Sequence, residues 1–170
     1  MITVRAETPA DYPAVRHINE LAFGTDNEAN LVDALRECAH PHISLVAVND
    51  GQTVGHIFFS PVSIESESVK FIAMGLAPMA VLPDYQKQGI GTALVEAGLK
   101  ECRRIGHYII VVVGHADYYP RFGFTSAGAK GLRCEYDVPD DVFMVAELSA
   151  GALNGRQGLV RYPPEFKQHA

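Results

Sequence analysis

Seven consecutive residues, Gln86-Lys87-Gln88-Gly89-Ile90-Gly91-Thr92, carry the clearest chemistry in the chain. They stand between an apolar run, Met79-Ala80-Val81-Leu82, and a helical pattern in which Leu94, Val95, Gly98, Leu99, Cys102 and Ile105 recur at spacings of three and four. A helix leaves its first N–H groups without partners, and a Ser, Thr, Asp or Asn side chain ordinarily satisfies one of them. No such cap occupies the expected place here, and two glycines leave the backbone N–H groups bare and approachable. Bare N–H groups at the positive end of a helix make a site suited to a phosphate or pyrophosphate. The spacing is not that of a dinucleotide fold, which needs Gly-x-Gly-x-x-Gly, nor of a P-loop, which needs Gly-Lys-Ser/Thr. The plain alternative is a glycine turn capped by water.

Other elements must hold this turn in place. The helix that follows is amphipathic, with Glu96, Lys100, Arg103 and Arg104 on its outer face and Glu96 placed four before Lys100 for an ion pair. Gly106 is its expected stop. Upstream, residues 2–7 read as a strand, and Thr8-Pro9-Ala10-Asp11 starts a helix that runs to about Phe23. A second helix is expected over roughly 28–39. Strands follow over 44–48, 53–64 and 71–82, the first two joined at Asp50-Gly51 and the third bulged at Pro78. After the glycine element, 108–113 is an unbroken apolar run, expected as a strand buried on both faces and reached by a crossover. A short helix is expected before Pro120, a strand from Gly123-Phe124, further strands over 132–136 and 143–148, and a last edge strand at 159–162. The order βααβββαβαββ predicts an α/β (α+β) fold, a central mixed sheet in three layers with few helices.

Composition narrows the class of protein. The 170 residues are 48% hydrophobic and 20% charged, sufficient for one domain with a core. The net charge of −6, from 14 basic and 20 acidic residues without a basic block, disfavours nucleic acid as a partner and suits a cationic acceptor such as an amine. Cys38, Cys102 and Cys134 are too few and too far apart for a disulfide framework or a Cys-x-x-Cys metal site. Cys38-Ala-His40-Pro-His42 fits no zinc spacing, so no metal is expected. Neither a signal peptide nor a membrane span is read from the chain, and a cytoplasmic protein is the expectation.

The pattern Gln-x-x-Gly-x-Gly, placed between an apolar strand and an amphipathic helix, resembles motif A of the GNAT superfamily of acyl-CoA-dependent N-acetyltransferases. Tyr118-Tyr119-Pro120-Arg121-Phe122-Gly123-Phe124 is similar to that family's Phe-Tyr-x-Lys-x-Gly-Phe, and the order of elements matches its fold. The tail, with Ala152-Leu-Asn-Gly155 and Gly158-Leu-Val-x-Tyr162, resembles a branch of predicted bacterial acetyltransferases. The resemblance covers nearly the whole chain and implies one N-acetyltransferase domain over 1–170, with a core of about 2–148, a tail of 149–170 and a mostly antiparallel sheet. It implies acetyl-CoA as cosubstrate, an amine acceptor, no metal, and association as a homodimer, which is frequent among relatives. Coenzyme contacts then fall to Gln86, Lys87, Gln88, Gly89, Ile90, Gly91 and Thr92 at the pyrophosphate, and to Met79, Ala80 and Val81 along the pantetheine arm. Arg121 stands where the family has Lys and is assigned to a coenzyme phosphate, with a solvated surface arginine as the alternative.

Tyr119 matches the family's general acid toward the departing thiolate, a role suited to a phenol of pKa ~10, and Tyr118 matches the packed Phe. Gly114 departs from the Asn that many members carry, so a side-chain bond to the cofactor arm is absent there. The family's strand carboxylate is missing too, because 71–82 holds no Asp or Glu. The general base is open among His56, Ser60, Glu28, His115, Asp117 and a water chain. The implied reaction is direct attack by the amine in a ternary complex, with backbone donors on the strand polarising the carbonyl. Two alternatives share the anion site: a non-catalytic acyl-CoA-binding or sensing domain, and a mononucleotide-binding enzyme.

Overall fold

In the computed structural model of the chain, which describes residues 1–169, Asp50 and Gly51 take φ of 49° and 82°. Two successive positive φ angles match the right-handed twist of a tight hairpin. The turn joins β2 (Ile43–Asn49) to β3 (Gln52–Glu65). β1 (Ile2–Ala6) pairs outside β2, and β4 (Lys70–Val81) returns antiparallel along β3. Helix α3 (Ile90–Arg104) crosses over to β5 (Ile109–Val113), which joins β4 in parallel. The sheet continues through β8 (Phe143–Glu147) to β6 (Thr125–Ser126), giving the order β1-β2-β3-β4-β5-β8-β6.

Two helical layers cover the sheet because neighbouring strand residues face opposite ways. Leu45, Ala47, Ile57 and Phe59 pack with Leu94, Leu99 and Cys102 of α3 on one face. Val46 and Phe58 point to the other face and meet Val15 of α1 (Tyr12–Phe23) and Leu31, Val32 and Leu35 of α2 (Asn27–Cys38). The entry to α1 follows the expected capping chemistry, with Thr8 N–H donating to Asp11 Oδ2 at 2.7 Å. Arg5 holds the same carboxylate with two bonds of 2.7 and 2.9 Å.

One local feature of the sheet opens the molecule. β4 pairs with β5 only at Met74, Gly75 and Leu76. Just beyond, the β3–β4 register shifts between Ile57 and Phe59, so that Ala77 and Pro78 together oppose Phe58. Pro78 has no N–H to give a neighbouring strand. The bulge bends β4 away, and residues 77–81 run without a partner on the β5 side. This wedge is the structural consequence of the bulge expected at Pro78.

Several expectations are corrected. The strand at 158–161 is no edge strand: β9 (Gly158–Arg161) lies between the end of β3 and β7 (Leu132–Cys134), antiparallel to the first and parallel to the second. Phe124 precedes rather than starts β6, and the helical turn expected before Pro120 is a 3-10 turn that contains it, Tyr119–Phe122. A four-residue helix α4 (Glu165–Gln168) follows Pro163-Pro164 and was not expected, being far too short for a periodic signal. Among the described residues Glu96 and Lys100 form no ion pair; on α3, Arg104 binds Glu101 at 2.7 Å instead. No helix of the described residues is long and apolar enough to cross a membrane.

Candidate active site

The uncapped helix start is built as its residues require. Gly89 is the N-cap of α3 with φ 86°, and no side chain caps the helix. A glycine takes that left-handed conformation without the steric cost a side chain would add. The first intrahelical bond runs from Ala93 N–H to the Gly89 carbonyl at 3.1 Å, so the N–H groups of residues 89–92 lack helical acceptors. The loop before them is tied down at both ends. Gln86 Nε2 donates to the Val81 carbonyl at 3.0 Å, fixing the loop to the end of β4, and Gln88 Nε2 donates to Asp84 O at 3.3 Å.

Two cavities flank the wedge. The first, of about 650 Å³, lies against the N-terminus of α3. Met79, Ala80, Val81, Gln86, Lys87, Gly89, Ile90, Gly91, Thr92 and Arg121 all line it. Gln88 does not, and its amide is spent on the loop. The second, of about 580 Å³, lies beyond the bulge, with Ala77, Pro78 and Met79 on one wall and Val113 and Gly114 on the other. Phe23, Met79, His115 and Tyr118 line both, so the two cavities meet at the open edge of β4.

The adjacent tyrosines divide between them. Tyr119 is buried, and its ring packs edge-on against Phe124 at 5.6 Å and Tyr118 at 5.1 Å between centroids. It lines only the second cavity. Burial, reinforced by Tyr118, pushes its phenol up to about 12. The pKa near ~10 expected of an ordinary phenol is thus corrected: proton donation is harder than for a solvated tyrosine. Tyr118 is half-buried and packs against the core as expected, and its hydroxyl also lies 3.4 Å from Thr92 Oγ1 at the helix start. Arg121 braces this ring, with Nε donating to Tyr118 O at 2.9 Å and its guanidinium 4.6 Å from the ring centroid. Gly114 explains itself sterically, since a Cβ there would sit 2.4 Å from Tyr119 Cε2. The Tyr119 ring fills the space where a side chain at 114 would stand.

A model of the acetyltransferase (GNAT) domain matches residues 3–127. The chain belongs to the GNAT acetyltransferase family. It is 37% identical over 166 residues to the uncharacterized N-acetyltransferase YhbS of Escherichia coli strain K12, covering 97% of this chain and 98% of that protein. It is 39% identical over 135 residues to YjhQ of the same strain, covering 78% and 75%. The crystal structure of YhbS in complex with CoA superposes with a TM-score of 0.90 at 36% identity, over 98% of this chain and 92% of that one. A GNAT acetyltransferase from Brucella melitensis in complex with acetyl-CoA follows at 0.80 and 34%, over 98% of each. By family and by fold this is an N-acetyltransferase.

Within this GNAT chain the candidates for a base separate cleanly. Glu28 and His115 line the second cavity, whereas Asp117 is exposed and lines neither. Ser60 is buried, with no hydrogen-bond partner for its hydroxyl among the described residues. His56 is fully buried in a polar tie between α1, β2 and β3. Asn19 Nδ2 lies 3.3 Å from His56 Nδ1, and Ser44 Oγ lies 2.9 Å from Nε2. An amide donating to Nδ1 leaves the proton on Nε2, pointed at Ser44, so this imidazole cannot accept the serine's proton. Desolvation, with the charge of Arg36, pushes its pKa down to about 3, and it stays neutral.

The outer wall of the second cavity carries no sequence signal that names its residues one by one. Leu31 comes from α2, Tyr136 and Val138 from the loop after β7, and Tyr162 and Phe166 from the C-terminal segment. Each reads alone as a core or surface residue, and no periodicity links segments so far apart. Among the described residues no group of three or more His, Cys, Asp or Glu side chains could hold a metal ion.

Proposed function

We propose that this enzyme transfers the acetyl group of acetyl-CoA to a primary amine by direct attack in a ternary complex. One observation carries the reading. The unpaired edge of β4 joins a cavity at an uncapped helix start to a second cavity beside a buried tyrosine. Coenzyme takes the first in this reading, which the complexes of YhbS with CoA and of the Brucella melitensis protein with acetyl-CoA support. The N–H groups of residues 89–92 take the pyrophosphate, the bare edge over 77–81 takes the pantetheine arm, and Arg121 takes a phosphate at the rim. The amine enters from the second cavity, so both substrates are bound before chemistry begins.

The residues then have distinct tasks. His115, on the wall common to both cavities, removes the proton of the attacking ammonium. The amine nitrogen forms its bond to the thioester carbon while free N–H groups of the β4 edge stabilise the carbonyl oxygen. The carbon–sulfur bond breaks, and the departing sulfur receives a hydrogen bond and finally a proton from Tyr119. Burial holds this phenol at about 12, above the range of an ordinary alkyl thiol near ~8.5, so full transfer at rest is uphill. Tyr119 therefore acts first as a hydrogen-bond donor to developing charge and then gives up its proton; the second proton, lost by the nitrogen as the amide forms, returns to Tyr119, and the first leaves His115 for solvent. The three cysteines are unpaired, which fits the reducing cytoplasm.

Thiol release from acetyl-CoA, followed with a range of amines, tests this. The proposal predicts release only with amine present and intersecting double-reciprocal lines. Parallel lines would indicate an acetyl-enzyme and refute direct attack.

A further inference from the structure

The second cavity has a composition that selects among amines. It is predominantly apolar, walled by Phe23, Leu31, Tyr136, Tyr162 and Phe166 around Tyr119. Among the described residues no Lys or Arg lines it, and Glu28 is its only carboxylate. Tyr162 and Phe166 pack ring against ring at 5.2 Å, and Tyr162 and Tyr136 at 5.7 Å, which makes a continuous aromatic wall. Glu28 is half-buried in the first turn of α2, and its Oε1 lies 3.5 Å from the Thr25 hydroxyl, a long contact that leaves the carboxylate free to take a cation. His115 and His169 are the other titratable side chains besides the tyrosines.

Each substrate class meets this wall differently. A free amino acid brings a carboxylate, and the cavity offers no cationic side chain to receive it. A polyamine or aminoglycoside brings several ammonium groups, and one carboxylate satisfies only one. A monoamine on an aromatic or bulky apolar body matches both features: its ring replaces water along the aromatic wall, and its ammonium finds Glu28 on the way in. A volume of about 580 Å³ holds a body of one or two rings.

We propose that the acceptor is a hydrophobic primary monoamine, aromatic in its body and lacking a carboxylate, with Glu28 as the group that recognises its ammonium. This rests on the acetyl-transfer reading and narrows it. Capture of the ammonium by Glu28 acts on KM, and the proton transfers of the bond-making step stay with His115 and Tyr119.

The test is an acceptor panel with wild-type enzyme at saturating acetyl-CoA: 2-phenylethylamine, tryptamine, hexylamine, phenylalanine, spermidine, kanamycin and a lysine-containing peptide. The expected result is a kcat/KM for the two arylalkylamines at least 100-fold above phenylalanine, spermidine, kanamycin and the peptide. Glu28→Gln should raise the KM of the best arylalkylamine about 10-fold or more, with kcat within about three-fold and acetyl-CoA affinity unchanged by calorimetry. Preference for hexylamine, spermidine, kanamycin, phenylalanine or the peptide overturns the proposal while leaving acetyl transfer intact. An unchanged KM in Glu28→Gln overturns the role of that carboxylate. Loss of acetyl-CoA binding by the wild-type protein would instead refute the underlying reading.

Discussion

Replacing Tyr119 by Phe removes one oxygen from a buried ring and should separate chemistry from binding. The ring keeps its edge-on contacts with Tyr118 and Phe124, and no hydrogen-bond partner of its hydroxyl occurs among the described residues. Folding stability should therefore change by less than about 1 kcal/mol. Loss of a general acid costs roughly 10²- to 10⁴-fold. Because the phenol is pushed up to about 12, its donation is uphill and its contribution belongs at the lower end of that range. About 10²-fold in kcat, equivalent to about 2.7 kcal/mol of barrier, is the expectation. The same shift fixes the pH behaviour: a phenol that stays protonated until about 12 imposes no alkaline loss of activity below pH ~10. The assay is a single-turnover rate at saturating acetyl-CoA with an accepted amine, alongside thermal unfolding of each variant. Tyr118→Phe is the control. Its hydroxyl lies beside Thr92, so its removal should weaken acetyl-CoA binding by about two- to ten-fold and spare kcat. A folded Tyr119→Phe enzyme within three-fold of wild type would refute the reasoning, and a crippled kcat in Tyr118→Phe would move the acid to the neighbouring residue.

Gly114→Asn should drive the Tyr119 ring from its place, since even a Cβ would lie 2.4 Å from it; kcat should fall at least ten-fold with acetyl-CoA affinity within a few-fold, read by steady-state kinetics and calorimetry. His115→Asn should lower kcat at least ten-fold while the fold is kept, because the side chain is exposed and touches both cavities; an unchanged kcat would remove it from the proton path. His56 predicts acid sensitivity. Its folded-state pKa of about 3 lies below the ordinary value near ~6.5, so its stabilising share is full above pH ~6.5 and is lost as pH falls toward 3, by up to about 1.4 kcal/mol per unit. Urea titrations between pH 7 and 4 should show a shallower pH slope in His56→Asn than in wild type, and equal slopes would contradict the burial account.

How much could be read from residues alone depended on range. The helix start was legible because a missing cap and two glycines act within one turn, and Gly89 does occupy the left-handed N-cap. The bulge was legible from Pro78, which cannot donate within a sheet. The wedge itself was not, because it follows from β4 and β5 pairing over only three residues, a fact of tertiary geometry. The aromatic wall was illegible for the same reason, drawing Leu31, Tyr136, Tyr162 and Phe166 from segments far apart in the chain. Gln88 shows the limit of carrying a motif over whole: it belongs to the pattern, yet its amide holds the loop and its side chain stays outside the cavity. Tyr118 shows the reverse, a residue matched to a packed Phe whose hydroxyl reaches the helix start.

Coenzyme binding at the N-terminus of α3 is the claim on which the rest depends, and calorimetric titration with acetyl-CoA tests it most directly. A Cβ on Gly91 would point toward Tyr118 Oη at 3.0 Å and Met79 Cε at 3.5 Å, so Gly91→Glu places bulk and negative charge inside the first cavity, where the pyrophosphate is assigned. Wild-type protein should bind acetyl-CoA with one site per chain, and a Gly91→Glu variant with unchanged thermal unfolding should lose that binding by at least 100-fold. Equal affinity in the two folded proteins, or no binding by either, would contradict the account.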